Sequence, residues 1–349
     1  MPDSPANSTR LTYKDAGVDV EAGQQIVESV RVIAQSASRP EVLSGIGGFA
    51  GLCELPKGYT QPVLVTATDG VGTKLKLAAA CNLHSGLGQD LVAMSVNDVL
   101  VTGASPLLFL DYVSAGQLDR RTITSIVEGI AEACAFSGCA LVGGETAEMP
   151  GLYQPGDYDL AGFCLGVVEK SQIIHGQDIA AGDRLIGLPS TGPHANGFSL
   201  IRMILQRKGI DLAQDSKLAA QLLAPTAIYS RNIENLMQHV SILGMAHITG
   251  GGLTENLPRM LASKDLGMTV SLENWSLPTI FRWLQEQGRL TDEEMLKTFN
   301  CGIGMVICIS PKEVNKAQDL LQKCGVQAPV IGQIGTSNPG RVLFSGRWS

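Results

Sequence analysis

Alternation is the feature that most constrains this fold. Short apolar runs with strand character trade places with helical runs along nearly the whole chain, and most joints between them are rich in glycine. The strand-like runs are 62–68, 107–115, 139–142, 159–168, 184–188, 245–249, 304–309 and 330–334. Helical patterning covers 73–81, 89–102, 119–137, 197–208, 226–237, 253–262, 278–287 and 311–324. In the third of these, Asp119 can cap the start, and Ile123, Ile126, Val127 and Ile130 fall on one face. Such alternation predicts an α/β or α+β protein. A chain of 349 residues suggests about two domains. The break fits best at 169–171, where an apolar run gives way to the polar EKSQIIHGQD. The expected domains are 1–170 and 171–349, each large enough for its own core.

Glycine is the compositional outlier, 40 of 349 residues with no collagen-like period, so it must serve turns and close backbone approach. The net charge of −7 is spread without long runs, which argues against nucleic acid or an anionic membrane surface as partner. No apolar run approaches the ~18 residues of a membrane span. Residues 1–10 lack the apolar core of an export signal and read as a polar tail. The eight cysteines are scattered, with no CxxC pair. They read as reduced thiols of a cytoplasmic protein rather than zinc ligands.

The glycine joints carry the polar chemistry. TDGVGTK at 68–74 follows an apolar run and opens a helix, so the backbone N–H groups around Gly70, Gly72 and Thr73 converge where an anion fits. Asp69 can hold a cation that bridges phosphates, and Lys74 adds a point charge. The plain alternative is that Asp69 only caps the helix. The spacing is not that of a Walker A loop. GIGGFA at 45–50 matches a dinucleotide fingerprint by letter, but no strand precedes it and Pro56 follows closely. The segment 39–59 reads instead as a loop, either closing over a ligand through Gly47 and Gly48 or lying on the surface.

LVAMSVNDVLVT at 91–102 leaves almost no polar face, so this helix should be buried, with Asn97 and Asp98 inside it. A buried carboxylate must be neutralised, paired or bound to a cation. No basic residue lies within a turn of Asp98, so a metal is the favoured partner and an ion pair the alternative. Asp90 lies two turns earlier and can contribute. LVGGETAEMP at 141–150 offers Glu145 and, less strongly, Glu148, one turn apart if a helix starts here. Such hard oxygen ligands suit magnesium. PSTGPHANGFSL at 189–200 is a polar strand–helix turn in which His194 has a pKa suited to proton transfer and Asn196 can face a substrate. ITGGGLTEN at 248–256 points Gly250, Gly251 and Gly252 at a second anion site, or packs a strand tightly on a helix. FNCGIG at 299–304 reads as packing around Cys301. Together these joints suggest ATP with magnesium and a second phosphate-bearing substrate.

The same motifs, in this order, resemble the phosphoribosylformylglycinamidine cyclo-ligase (AIR synthetase) family of purine biosynthesis. The matching pieces are YKDAGVD at 13–19, RPEV and GGF within 39–49, TDGVGTK, DLVAMSVND at 90–98, FLDY at 109–112, GGETAEMPG at 143–151, YDLAGFCLGVVEK at 158–170, GPHANGFSL, ITGGGLTEN and FNCGIGM. The resemblance implies a two-domain fold whose amino-terminal domain joins a second copy in an intersubunit β-barrel, with a carboxy-terminal α/β domain closing the active cleft. It implies a homodimer that converts formylglycinamidine ribonucleotide to aminoimidazole ribonucleotide, splitting ATP to ADP and phosphate, with Mg2+ and, left open, K+. Carried onto this chain, Asp69, Asp98 and Glu145 handle metal and triphosphate. Lys74, Gly47, Gly48, Gly70, Gly72, Thr73 and Asn97 lie on the ATP side, and His194, Asn196 and Gly250–Gly252 on the substrate side. A kinase of the wider superfamily, or an ATP-binding module without turnover, are the rival readings.

Overall fold

The computed structural model describes residues 11, 12, 16, 20–117 and 119–348, so the expected polar tail and much of the 13–19 motif lie outside the described residues. Two sheets divide the chain. The first contains β1 (Pro62–Gly70), β2 (Ser105–Ala115), β3 (Ala140–Glu148) and β4 (Tyr158–Glu169) in the order β1-β4-β2-β3. β4 runs antiparallel to β1 and β2, and β2 parallel to β3. The second contains β5 (Arg184–Pro189), β6 (Ile242–His247), β7 (Gly267–Ser271), β8 (Ile303–Ile309), β9 (Val330–Gly335) and β10 (Val342–Ser345) in the order β10-β7-β9-β5-β8-β6.

The first sheet is covered on one face by the helices Ser85–Leu100 and Arg120–Ser137. Phe109, Val113, Leu160 and Cys164 lie fully buried in that layer. The second helix starts where its sequence says it should: the Asp119 side chain accepts from the Thr122 amide at 2.8 Å. The other face of the sheet is open. Leu64, Tyr112 and Phe163 are 51%, 38% and 37% exposed there, an arrangement a sheet adopts when something else is to cover it. β8 is buried along its whole length, one strand in from the β6 edge of the second sheet. One side of that sheet continues the core of the first half. The other carries Ile186, Met305 and Ile307 with Leu236 and Leu321.

Several elements differ from the sequence reading. The run expected at 139–142 continues as β3 to Glu148, so no helix begins at Glu145 and the one-turn pairing of Glu145 with Glu148 does not form. Paired along β2, the glycines stay extended as strand residues. The helix expected from 226 starts only at Ser230, because Thr226 is held by Asp90 through its amide at 2.8 Å and its hydroxyl at 2.5 Å. The helix expected over 253–262 ends at Asn256 and tightens into a 3₁₀ turn containing Pro258. Helix Asp292–Thr298 and strands β7 and β10 are too short to stand out, and the 15-residue helix Val20–Ala34 is one that the sequence reading omits. The loop of 39–59 is pinched at its base by Leu43 N–H to Leu52 O at 2.8 Å and Glu54 N–H to Glu41 O at 2.8 Å.

Candidate active site

Two groups of polar residues lie at the joints, one between the two halves of the chain and one beneath the glycine loop. Asp69 ends β1 with its carboxylate accepting the Gly70 amide at 2.8 Å. Burial pushes its pKa up, the amide opposes this, the nearby Asp98 charge adds to it and His247 counters. Asp98 is the one residue between Leu91 and Leu100 that is not buried, its side chain 40% exposed. The partner that sequence could not locate is His247 at the end of β6, whose Nδ1 lies 2.9 Å from Asp98 Oδ1. His247 escaped notice because it closes an apolar strand; its place just before Gly250–Gly252 was the available signal.

The second half approaches from the 189–200 turn. Thr73 Oγ1 lies 3.2 Å from Ser199 Oγ, and Asn196 sits against Gly250. Asn300 holds the turn, donating to Gly192 O at 2.9 Å and accepting from the Ser190 hydroxyl at 2.8 Å. Gly197 has φ +78° and faces Phe299 so closely that a Cβ would overlap the ring, which makes glycine obligatory there. Asn256 ties down the glycine run, donating to Gly250 O at 3.0 Å and Gly252 O at 2.9 Å.

Four expected site residues lie inside the protein instead. Lys74 is fully buried; its ammonium pairs with Asp90 at 2.8 Å and donates to His194 O and Ala224 O, both at 2.9 Å. With its donors so committed, it supplies no charge to a phosphate. Burial lowers its pKa, and contact with Asp90 opposes that. His194 is likewise buried, at φ +61°. Its Nε2 accepts from Thr191 and Ala227 amides at 3.3 and 3.4 Å, so Nδ1 carries the proton, and it has no partner. Burial drives its pKa well down, with His247 and Lys74 adding to this, so a neutral packed imidazole replaces the expected proton carrier or phosphate ligand. Asn97 is fully buried and spans to the second half, donating to Ala227 O at 2.9 Å and accepting from the Tyr229 amide at 3.2 Å. Gly252 is packed against the Leu296 carbonyl, the strand–helix role rather than a ligand site.

Glu145 does not join Asp69 and Asp98. It stands on β3, three strand spacings or ~14 Å from β1, with the pleat turning it to the opposite face from the Asp69 row. Among the described residues, no group of three or more His, Cys, Asp or Glu side chains is placed to hold a metal ion. Of the three expected ligands only Asp69 and Asp98 neighbour each other, two carboxylates whose mutual repulsion a divalent cation would relieve.

The second group surrounds a cavity of about 470 Å3 between the Gly45–Gly51 loop, the Val20–Ala34 helix and β2–β3. Gly47, Gly48, Gly144, Glu145 and Thr146 line it, as does Asp111 of the FLDY motif, which sequence reading gave no role. Asp111 is 8% exposed, and burial raises its carboxyl to about 7 against the pull of its own amide. The eight cysteines are free thiols; burial lifts Cys301 and Cys308 well above the usual range, consistent with packing. No described helix is long and apolar enough to cross a membrane.

The chain is built from the two domains of the AIR synthase-related proteins. Residues 51–168 match the family described as "AIR synthase related protein, N-terminal domain" and 180–344 its "C-terminal domain". The chain is 52% identical over 344 residues, 97% of both sequences, to the phosphoribosylformylglycinamidine cyclo-ligase of Burkholderia multivorans (strain ATCC 17616 / 249). At that identity and coverage, it belongs to the phosphoribosylformylglycinamidine cyclo-ligase (AIR synthetase) family. More distant solved structures share the fold. Thiamine-monophosphate kinase from Stenotrophomonas maltophilia K279a has a TM-score of 0.65 at 18% identity, covering 93% of this chain and 96% of that one. Hydrogenase maturation protein HypE from E. coli has 0.67 at 18%, covering 93% and 94%. A HypE crystallised in complex with ATP has 0.67 at 17%, covering 92% and 90%.

Proposed function

We infer that this chain closes the imidazole ring of aminoimidazole ribonucleotide from formylglycinamidine ribonucleotide, splitting ATP to ADP and phosphate. The observation that carries the reading is the 52% identity along 97% of the chain to a cyclo-ligase, with Asp69, Asp98 and the 192–200 turn placed together between the halves. An amide oxygen is a poor leaving group. Transfer of the γ-phosphoryl to the formyl oxygen breaks the bond to the β-phosphate and gives an imidate phosphate and ADP. The amidine nitrogen then attacks the activated carbon, the C–O bond breaks, phosphate leaves and a proton is lost. Attack within one molecule supplies a large proximity advantage. The protein's task is to position groups and offset phosphoryl charge.

Asp69 and Asp98 would hold Mg2+, which when bound neutralises triphosphate charge. His247 fixes the Asp98 carboxylate through its 2.9 Å contact. Gly70, Gly72 and Thr73 present backbone to the phosphates, while Asn196, Gly250 and Gly251 face the substrate. Homodimerisation is supported by the open face of the first sheet with its exposed Leu64, Tyr112 and Phe163, and by the separation of Glu145 from the other carboxylates, which leaves a single chain's site split. A cytoplasmic location accords with eight free thiols.

The deciding assay incubates the protein with formylglycinamidine ribonucleotide and Mg-ATP and measures aminoimidazole ribonucleotide and free phosphate. A stable phosphorylated product would mean a kinase instead, and nucleotide binding without turnover a non-catalytic module. Asp98→Asn should lower turnover by about 100-fold or more while leaving the melting temperature near that of the parent. Unchanged turnover would remove Asp98 from the site.

A further inference from the structure

We propose that Asp111 pairs through its carboxyl with an amidine edge, the N–C=N group that adenine and the formylglycinamidine substrate both carry, bound in the cavity beneath the Gly45–Gly51 loop. The inference rests on the cyclo-ligase reading and adds a recognition residue to it.

Three observations support the pairing. The Asp111 side chain is more than nine-tenths buried and lines the cavity, yet no hydrogen bond joins it to any other described residue. A buried carboxyl whose donor is its own backbone amide keeps acceptor sites that a ligand N–H would satisfy. The fold also keeps this carboxyl clear: Gly144 lies directly opposite Asp111 on β3, and a Cβ there would overlap Oδ1. The third is the chemistry of the walls. Val27, Val30, Leu110 and Val142 make much of them apolar, Glu145 adds a second carboxylate, and among the described residues no lysine or arginine lines the cavity, so it suits a flat N–H-bearing group and not a polyphosphate. A basic group stands at the loop: Arg31 Nε donates to Ile46 O at 3.1 Å, where a phosphate chain could leave.

A carboxyl and an amidine match in two parallel hydrogen bonds, two N–H···O when the amidine holds the shared proton and one N–H···O with one O–H···N when the carboxyl holds it. Two sources offer that edge, and two variants separate them. Steady-state KM values for both substrates, and the preference for ATP over ITP, are measured for the parent, Asp111→Ala and Asp111→Asn. ITP replaces the amino group of adenine by a carbonyl. If adenine is the partner, Asp111→Ala raises the KM for ATP at least about 10-fold and erases the preference over ITP, with the other substrate unaffected. Asp111→Asn, still able to donate and accept, keeps ATP binding. If the substrate amidine is the partner, both variants raise its KM at least about 10-fold and leave the ATP:ITP ratio alone. Both variants should melt no lower than the parent, since an uncompensated buried carboxyl is removed. Active variants with both KM values and the nucleotide ratio unchanged overturn the proposal. A parent enzyme that makes no aminoimidazole ribonucleotide overturns the cyclo-ligase reading instead.

Discussion

Single residues behave here according to what the fold sets beside them, and Asp111 shows this through pH. Its carboxyl is raised from 3.8 to about 7, so the folded chain binds more protons than the unfolded chain between those values. Stability therefore falls as pH rises through that window and levels off above it, a cost of ~4 kcal/mol once the group is fully ionised. Asp111→Asn removes this dependence. The stability gained by the variant over the parent should grow by about 2 kcal/mol between pH 5.5 and 8, read from urea midpoints at constant ionic strength. An equal gap at both pH values would show that the carboxyl is not held neutral by burial. Asp69, Asp98 and the glycine joints were legible from sequence, because an acidic residue at the end of an apolar run or inside an apolar helix is conspicuous. Lys74 and His194 were legible as unusual but not as inward-facing.

At the scale of elements, one contact between the two halves is built on the buried Lys74–Asp90 pair of the first, on which Thr226 and the Ala224 and His194 carbonyls of the second gather. It explains why the helix expected from 226 starts late and why the 189–200 turn sits where it does. Lys74→Met leaves Asp90 buried without its counter-charge and should cost about 3–5 kcal/mol in a denaturant titration. Adding Asp90→Leu should recover only part of that loss, since it removes the uncompensated charge but leaves the Thr226 amide and hydroxyl without their acceptor. A loss below about 1 kcal/mol for the single variant would mean that the pair does not tie the halves. Strand and helix identities in the first half were readable from periodicity. The extent of β3 was not, because its continuation through Gly143–Thr146 depends on pairing with β2.

For the whole molecule, the open sheet face is the feature that one chain leaves unresolved. Leu64, Phe163 and Tyr112 lie exposed on a face whose reverse is fully packed. A second copy seated there would bury them, and Phe163→Asp should then shift the sedimenting species from dimer to monomer, lowering activity with it. A parent protein that sediments as a monomer at micromolar concentration removes the dimer from the account.

By itself the sequence determined the α/β class, the glycine-rich joints that carry the candidate polar residues and the family, because periodicity, glycine placement and short motifs are local properties of a chain. The tertiary structure alone decided which of those joints meet. It set His247 beside Asp98, turned Lys74 and His194 inward, placed Glu145 on another strand and face, and left Asp111 lining a cavity with no hydrogen bond to another described residue. Each of these depends on residues about 30 to 150 positions apart being brought within a few ångströms. Strand order and domain packing fix such distances, and no local pattern records them.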